Sequence, residues 1–426
     1  MINRTIAPRI TNTADLTLTL KEAQVYTLDN GIEVCAVSAG SQPVLLLDLV
    51  FDAGNMYETQ NLISGITNHL LKSGTTTKNA FEINEAFEYY GAYLTRTAGA
   101  EHANISVHTL SKHLDNLMPH VADVLYNSTM PQSELDIFKQ NSIQRLTMNL
   151  QKGDFVANRL IDSYVYGEQH PYGKFTSVPA YEAVTQQQCL EFYKGHYPTA
   201  KFKIFVGGNL PANLQQLLNH YFGQHAVTAT NAPKAVAVAP QAQLQHNIIN
   251  DANAVQGAIR IARPFYNRHH PHFAECMVLN TIFGGFFGSR LMENIREDKG
   301  YTYGIYSYVQ NHIGENTAWV ISTEAGKDVT PATLTEVYKE MELLRTELVG
   351  DEELLLVKNY MIGKILNDLD GPFQLIGRYK TYSINNLTPA YFNHYINTIK
   401  TITPQRIKEL ANIYLQPKDF YELVVY

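Results

Sequence analysis

GITNHLLKSGT, residues 65–75, is the stretch of this chain that says most about its architecture. It reads as one helix that ends at a Lys-Ser-Gly-Thr stop and carries a single histidine, His69, in its middle. A helix that binds a catalytic zinc ion needs two histidines about one turn apart with a carboxylate between them, as in the pattern H-x-x-E-H. Here Gly65 replaces the first histidine and Asn68 replaces the glutamate. The stretch therefore has the frame of a zinc-binding helix without its chemistry.

Length and composition describe a large globular protein. At 426 residues the chain is too long for one ordinary domain, and its 45% hydrophobic and 17% charged residues provide an ample core. The net charge of −7 and the lack of a dense Lys/Arg stripe argue against a nucleic-acid partner. No apolar run approaches the roughly 20 residues of a membrane span, so we expect no membrane partner.

The termini and cysteines indicate a compartment. Residues 1–20 are polar and Thr-rich and show no apolar leader region. We expect a cytoplasmic protein, with the periplasm as the alternative if a signal peptide preceded this sequence. Cys35, Cys189 and Cys276 are scattered and odd in number, which fits neither a disulfide framework nor a zinc cluster. We expect them to be core residues in a reducing environment.

The chain reads twice through one order of elements. In the first half, strands are predicted at 24–28, 33–37, 44–51, 93–97, 103–109 and 202–206, and helices at 65–72, 81–90, 113–126, 133–150 (with Ser133 as N-cap) and 185–197. In the second half, strands are predicted at 254–262, 303–309, 317–323 and 420–426, and helices at 271–283, 289–297, 331–348, 351–366 and 403–414. Matching landmarks such as Thr185 and Thr403 lie about 218 residues apart, which indicates an internal duplication.

A segment rich in Ala, Pro, Thr and Gln separates the two halves and has no periodicity. We therefore predict an α+β fold of two homologous domains, residues 1–225 and 246–426, joined by a linker at 226–245. Each domain is expected to be a mainly antiparallel sheet covered by helices.

Two further motifs stand in the second half: FGGFFGSRL at 283–291 and IREDKGYTY at 295–303. Together with GITNHLLKSGT and the order of elements, they resemble the insulinase/pitrilysin-type peptidases, the inverzincins. The resemblance is strongest to their two-domain branch, which includes the mitochondrial processing peptidase. It extends over nearly the whole chain, from about residue 20 to residue 426.

The resemblance implies that the zinc site is degenerate. In active members two histidines and a distal glutamate bind zinc, and the glutamate of the motif polarises the attacking water. The matching motif positions are Gly65, Asn68 and His69, and the distal ligand would fall near residues 144–147. No Asp, Glu or His occurs between Asp136 and Asp154. One ligand of three remains, so we expect no metal and no catalytic residue on this chain.

The resemblance also implies that a substrate-binding pair is kept. Active members hold the substrate opposite the zinc with an arginine and a tyrosine seven residues apart, and Arg296 and Tyr303 match them. A guanidinium can grip a peptide carbonyl, and a tyrosine hydroxyl can donate to a developing oxyanion. The alternative is that Arg296 pairs with Glu293 or Glu297 and that Tyr303 packs on a sheet face.

Some members of this branch are heterodimers in which one subunit carries zinc and the other carries the Arg/Tyr pair. The resemblance therefore implies a non-catalytic subunit that supplies Arg296 and Tyr303 and closes a chamber around an unstructured peptide. Zinc is expected on a homologous partner with an intact H-x-x-E-H motif. One alternative is a structural scaffold, as a homodimer or in a larger assembly, with no role in proteolysis. Another is an active metalloenzyme with relocated ligands.

Other candidate sites are weak. Glu101 stands where active members also carry a glutamate, but without ligands beside it we expect a structural role. His269, His270 and His272 around Pro271 are expected to face solvent at a helix start, with Pro271 as its first residue. The glycines at 207–208 lack the motifs of a phosphate loop.

Overall fold

The computed structural model describes residues 12–229, 232–233, 235–314 and 316–426. Residues 1–11 of the N-terminal stretch lie outside the described residues. Residues 230, 231 and 234 of the predicted linker also lie outside them.

Strands and helices alternate in the first half in the predicted order, with further helices between them. Its elements are β1 (Gln24–Thr27), β2 (Glu33–Ser38), β3 (Val44–Phe51), α1 (Ile63–Leu70), α2 (Ala80–Glu88), β4 (Tyr93–Ala98), β5 (Ala103–Leu110), α3 (Leu114–Tyr126), α4 (Gln132–Asn149), α5 (Gly153–Tyr166), α6 (Val178–Ala183), α7 (Gln186–His196), β6 (Lys203–Gly208) and α8 (Leu214–Leu218).

The second half has a similar order of strands and helices. Its elements are β7 (Gln245–Ile248), β8 (Gln256–Tyr266), α9 (Phe273–Gly284), a π-helical segment (Met292–Asp298), β9 (Thr302–Val309), β10 (Asn316–Gly326), α10 (Thr330–Thr346), α11 (Asp351–Asp368), α12 (Pro372–Ile384), α13 (Ala390–Thr401), α14 (Pro404–Tyr414) and β11 (Tyr421–Val425).

Each half builds one sheet. The first has the strand order β1-β2-β6-β3-β5-β4 and the second β7-β11-β8-β10-β9. Only the pairs β2–β6 and β7–β11 are parallel among the strands described. The prediction of an α+β fold with two mainly antiparallel sheets covered by helices is therefore confirmed. Strands β4 and β9 lie at matching edges of the two sheets.

The duplication is visible in the strand register. Asp48 of β3 pairs with Phe205 of β6, and Arg260 of β8 pairs with Leu423 of β11. Phe205 and Leu423 lie about 218 residues apart, which is the offset found in the sequence. Asp48 and Arg260 thus occupy equivalent positions in the two sheets.

Some local predictions were wrong. Helix α4 begins at Gln132 after Pro131 and has no side-chain cap, so Ser133 is not its N-cap. Helix α9 begins at Phe273, so Pro271 lies before the helix rather than at its first position. The helix predicted at 289–297 is largely the π-helical segment. Helices α5, α6, α8, α12 and α13 and strand β7 were not predicted.

Two of the unpredicted helices cross from one half to the other. Helix α5 of the first half packs on β8 and β11 of the second sheet through Val156, Ala157, Ile161 and Val165. Helix α12 of the second half packs on β2 and β6 of the first sheet. Each sheet is therefore covered on one face by its own helices and on the other by an exchanged helix, the name used below for α5 and α12.

A glycine makes room for one exchanged helix. A Cβ atom on Gly207 of β6 would lie 2.6 Å from Ile376 Cγ2 and 2.7 Å from the carbonyl oxygen of Pro372. No larger residue fits this close approach of backbone to helix. Gly207 therefore serves the packing of α12 on the first sheet, whereas Gly208 makes room for the backbone of Val44 in the neighbouring strand β3.

Buried charges hold both exchanged helices. Lys380 Nζ of α12 lies 2.5 Å from Asp48 Oδ2, and Asp48 is 5% exposed. On the other sheet, Arg260 is 1% exposed and its guanidinium pairs with Asp154 of α5. The acid belongs to the sheet in the first contact and to the helix in the second, so the two contacts have opposite polarity.

Two remaining features bear on the sequence analysis. Cys35, Cys189 and Cys276 are all buried and unpaired, which confirms that they are core residues. Within the residues described, no helix combines the length and the apolar character needed to cross a bilayer.

Candidate functional site

Helix α1 carries the three positions that match the zinc motif. Asn68 is buried, and its side-chain amide donates to the carbonyl oxygen of Asn104 at 3.3 Å and to the Tyr197 hydroxyl at 3.2 Å. The ring of His69 packs on Phe138 of α4, with centroids 4.3 Å apart. A Cβ atom on Gly65 would have no heavy atom within 4 Å. The position of the first histidine is therefore open space, one turn before His69.

Cationic side chains lie near His69. Arg96 of the edge strand β4 donates from Nη1 to the backbone oxygen of His69. Arg145 lies two turns after Phe138 on α4, so the two share one face of that helix. Desolvation of the ring, together with the charges of Arg96, Arg145 and Lys72, lowers the pKa of His69 to about 4. The imidazole is therefore neutral at pH 7.

This set of side chains does not fit a zinc ion. A zinc site in a protein needs at least three Cys, His, Asp or Glu ligands, and here one imidazole faces a glycine, a hydrogen-bonded amide and an arginine. Positive charges near a dication would further weaken its binding. Among the described residues, no three His, Cys, Asp or Glu side chains are grouped so that they could share a metal ion.

The carboxylate of Glu58, which lies before the helix, accepts a hydrogen bond from the first turn of α1. Leu62, which precedes the helix, has a left-handed backbone with φ of 80° and provides no side-chain cap. Glu58 instead accepts a hydrogen bond from the backbone nitrogen of Ser64 at 3.2 Å. Burial of the carboxyl group raises the pKa of Glu58 to about 7. An ionised carboxylate at this position is therefore costly, although it lies favourably at a helix N-terminus.

We expect Glu58→Gln to change how stability depends on pH. Because the folded-state pKa of about 7 exceeds the ordinary 4.5, the folded protein binds the proton more tightly than the unfolded chain does. The wild type therefore loses stability as the pH rises from 4.5 through 7, by about 3 kcal/mol for this group. Relative to wild type, the variant should gain by this amount between pH 4 and pH 8 in urea unfolding. The depressed pKa of His69 acts in the opposite sense but is common to both proteins and cancels in the difference.

The exposed Glu168→Gln is the control for this comparison and should follow the wild-type pH profile. An equal pH dependence for Glu58→Gln and wild type would contradict the assigned role of Glu58.

Glu101 joins the two halves. It accepts hydrogen bonds from the Tyr172 hydroxyl and from the backbone nitrogen of Ile313, which lies at 2.9 Å in the β9–β10 connection. These contacts tie the β4–β5 hairpin of the first half to the second half. They support the structural role expected for Glu101.

The histidines near Pro271 are engaged one by one. His269 Nε2 lies 2.7 Å from the carbonyl oxygen of Asn385, and His272 Nδ1 lies 2.9 Å from the Tyr414 hydroxyl. The His270 ring stacks on Tyr266 with centroids 4.0 Å apart. His269 is exposed as expected, whereas His270 and His272 are only partly exposed. They pack at the start of α9.

The structure brings Arg296 and Tyr303 together at one rim of the second half. Arg296 lies on the π-helical segment, and Tyr303 is the second residue of β9. Between them Gly300 turns the chain with a left-handed φ of 65°. Arg296 Nε donates to the backbone oxygen of Tyr303 at 3.0 Å. The turn and this bond hold the Arg296 side chain against the backbone of Tyr303.

Arg296 contacts neighbouring side chains, whereas Tyr303 is exposed to solvent. Arg296 pairs with Glu297, and its guanidinium lies 4.6 Å from the centroid of the Phe287 ring. Tyr303 is 95% exposed. The local pairing considered as the alternative is therefore present for Arg296, but Tyr303 does not pack on the sheet. Its side chain is directed into solvent, so its hydroxyl is accessible as a donor.

Two family models together match most of this chain. The family model described as insulinase (peptidase family M16) matches residues 34–170, and the model described as the peptidase M16 inactive domain matches residues 183–361. An uncharacterized zinc protease of Bacillus subtilis, YmxG, is 21% identical over 402 residues, which cover 91% of this chain and 94% of the relative.

Solved structures share the fold. A peptidase M16 inactive domain from Pseudomonas fluorescens superposes with a TM-score of 0.83 at 22% identity, covering 95% of this chain and 98% of the other. A chain of complex III2 from Candida albicans superposes with a TM-score of 0.72 at 14% identity, covering 94% of this chain and 95% of the other.

Proposed function

Because the chain belongs to peptidase family M16, we propose that it is the non-catalytic subunit of a heterodimeric zinc peptidase. The observation that supports this proposal is the contrast between the zinc position on α1 and the Arg296–Tyr303 pair of the second half. The side chains at the zinc position of α1 are an open glycine, a buried amide and a neutral imidazole among cations. In the second half, Arg296 is held on the backbone of Tyr303, and the Tyr303 side chain is 95% exposed.

In this proposal the chain itself holds no cofactor. A homologous partner with an intact H-x-x-E-H motif would hold the zinc ion, which would supply the activation of water for peptide hydrolysis. The two subunits close a chamber that admits unstructured peptides. We place the pair in the cytoplasm, or in the periplasm if a signal peptide is removed from the chain.

Arg296 and Tyr303 act on the substrate held by the pair. The guanidinium binds a peptide carbonyl and orients the chain, since its fork of donors is fixed and permanently charged. The Tyr303 hydroxyl donates to the oxygen that becomes negative as the tetrahedral intermediate forms. Glu297 and Phe287 hold the arginine in position before substrate arrives.

Reconstitution tests this function. The purified chain is mixed with the zinc-bearing homologue from the same cell, and cleavage of a fluorogenic unstructured peptide is followed. We expect turnover from the mixture and none from this chain alone. A stoichiometric zinc content of the isolated chain, or turnover without the homologue, would contradict the proposal.

A scaffold function is the second candidate, and one observation favours it: the Arg296 guanidinium is already paired with Glu297. On this account the chain assembles with itself or with a larger complex and has no part in proteolysis. The double variant Arg296→Ala/Tyr303→Phe separates the two functions. Full activity of the pair with this variant would favour the scaffold.

A further inference from the structure

A cavity of about 620 Å³ lies among the helices of the second half, and neither Arg296 nor Tyr303 is among its lining residues. Helices α9, α11, α12 and α13 and the edge strand β9 form its walls. Its volume lies within the range of about 300–1,000 Å³ that is typical of sites for small ligands. Tyr360 and Lys364, which line it on α11, are both exposed, so a molecule can enter from solvent beside that helix.

One face of α9 runs along the cavity. Four residues of this face line it at helical spacing: Phe273, Met277, Asn280 and Thr281. Phe273 and Asn280 are seven residues apart, which corresponds to about 10 Å along the helix axis. The cavity therefore has an elongated wall with an aromatic ring near one end, a thioether in the middle and an amide near the other end.

The amide of Asn280 carries a donor that has no partner. Trp319 Nε1 donates to the Ser307 hydroxyl at 2.7 Å, and that hydroxyl donates to Asn280 Oδ1 at 2.7 Å. Asn280 is 4% exposed, and its amide nitrogen donates to nothing within the described residues. A Cβ atom on Gly285, which also lines the cavity, would lie 3.1 Å from this nitrogen. The glycine leaves the donor open, and an acceptor on a ligand would satisfy it.

The FGGFFGSRL motif forms this end of the cavity. A Cβ atom on Gly284 would lie 2.7 Å from Ser307 Cβ, so no larger residue fits there. Gly285 leaves the amide uncovered, and the ring of Phe286 stacks on Tyr360 with centroids 4.6 Å apart. Three consecutive residues of the motif thus serve the cavity.

A cation lies at the other end. Arg268 Nη2 donates to Asn311 Oδ1 at 2.7 Å, and the guanidinium lies 5.5 Å from the centroid of the Phe273 ring. All three residues line the cavity. Arg268 forms no ion pair in the described part of the chain. Asp368, the acid of the lining, is paired with Arg378 at 3.2 Å. The cavity therefore has an excess of positive charge.

We propose that this cavity binds a small carboxylate with an apolar body about 10 Å long, which goes beyond the proposed peptidase function. The carboxylate binds the guanidinium of Arg268, whose fork of donors fits its two oxygens. An oxygen at the far end of the ligand accepts from the Asn280 amide. The side chains of Met277 and Met361 pack against the body, since thioethers adapt to varied shapes.

Two sources share this ligand chemistry. One is a tripeptide with a free C-terminus, which is about 10 Å long when extended. The other is a fatty acid that carries a hydroxyl group at its far end. Both have a carboxylate, an apolar middle and a distant oxygen acceptor.

Isothermal titration calorimetry with the isolated chain tests this proposal. The ligands are the acetylated tripeptide Leu-Ala-Leu with a free C-terminus, its C-terminal amide, and 8-hydroxyoctanoate. We expect the tripeptide acid to bind about tenfold more tightly than the amide, because only the acid forms charged hydrogen bonds with Arg268. Tighter binding of the tripeptide acid than of the hydroxy acid would assign the peptide source, and the reverse would assign the fatty acid. Equal affinity for the tripeptide acid and its amide, or no binding of any ligand, would overturn the proposal.

Variants locate the binding in this cavity. Arg268→Gln should weaken binding of the tripeptide acid about tenfold and leave that of the amide unchanged, which also shows that the variant is folded. Met277→Trp places a larger side chain in the cavity and should weaken both. Lys418→Gln removes a charge at an exposed position of the second half and should keep the wild-type affinities. An unaltered preference for the acid in Arg268→Gln would overturn the proposal.

The experiment also separates this proposal from the proposed function. Binding is measured without the zinc-bearing partner, whereas turnover is measured with it. Turnover of the reconstituted pair without binding in the calorimeter would refute only the carboxylate site. Binding without turnover would refute only the heterodimeric peptidase.

Discussion

Tyr303→Phe is expected to lower kcat of the reconstituted peptidase by about 100-fold, while KM changes little. One donor to the oxyanion of an acyl-transfer intermediate is commonly worth about 3 kcal/mol, and the contact strengthens only as negative charge develops on the oxygen. Because Tyr303 is 95% exposed, losing the hydroxyl should not alter the fold. Steady-state kinetics with the zinc-bearing partner in excess measure the effect.

The same strand provides the matched control. Tyr306 is 53% exposed and lies three residues further along β9, and its backbone oxygen is not the one that Arg296 binds, so Tyr306→Phe removes an exposed hydroxyl from a neighbouring position of the same strand. Its kinetics should equal those of wild type. Arg296→Ala should impair turnover at least as much as Tyr303→Phe, because it removes a peptide contact and also the bond to the Tyr303 backbone. Equal kinetics for Tyr303→Phe and Tyr306→Phe would refute the role of the hydroxyl.

Asp154→Ala is expected to destabilise the protein by about 3–5 kcal/mol, the usual cost of leaving a buried charge without its partner. Arg260 is 1% exposed, and its remaining bonds run to Asn158 and to the carbonyl oxygens of Ile259 and Thr323. None of these partners carries a negative charge. Denaturant unfolding followed by circular dichroism gives the difference in free energy.

Replacing Arg260 instead of Asp154 should destabilise the protein less. The Asp154 side chain is 47% exposed, so Arg260→Met leaves a carboxylate that water can solvate and puts an apolar chain into the core. The double variant Asp154→Ala/Arg260→Met should therefore be more stable than Asp154→Ala alone. Equal losses for the two single variants would contradict this account of the ion pair.

The spacing of apolar residues within short segments was enough to predict most of the strands and helices. The strands at 44–51 and 103–109 and the helix at 185–197 were predicted because each buries its apolar residues against its own half. The exchanged helices α5 and α12 were missed. Pro372 at the first position of α12 and Gly167 with a φ of 91° after α5 are local signals that could have indicated both helices. The sequence could not show that their apolar residues are buried by the sheet of the other half.

The residues of the candidate site also divide into those that could be identified from the sequence and those that could not. Gly65, Asn68, His69, Arg296 and Tyr303 could be named because each is part of a short motif. Arg96 could not, because its place beside His69 depends on the edge strand β4 lying against α1. One signal was available for Arg145: it lies within the stretch 137–153, where the sequence has no acid at the expected distal ligand.

The opposite polarity of the two buried ion pairs has a consequence for recognition between the halves. Two copies of the first half could not replace the natural pair, since the acidic helix α5 would then lie over the Asp48 sheet and bring like charges together. Two copies of the second half would place Lys380 of α12 over the Arg260 sheet, with the same result. Desolvated like charges cost several kcal/mol, and such costs exclude wrong partners. The charges at the two contacts between sheet and exchanged helix therefore favour pairing of the first half with the second. They disfavour pairing of either half with a copy of itself.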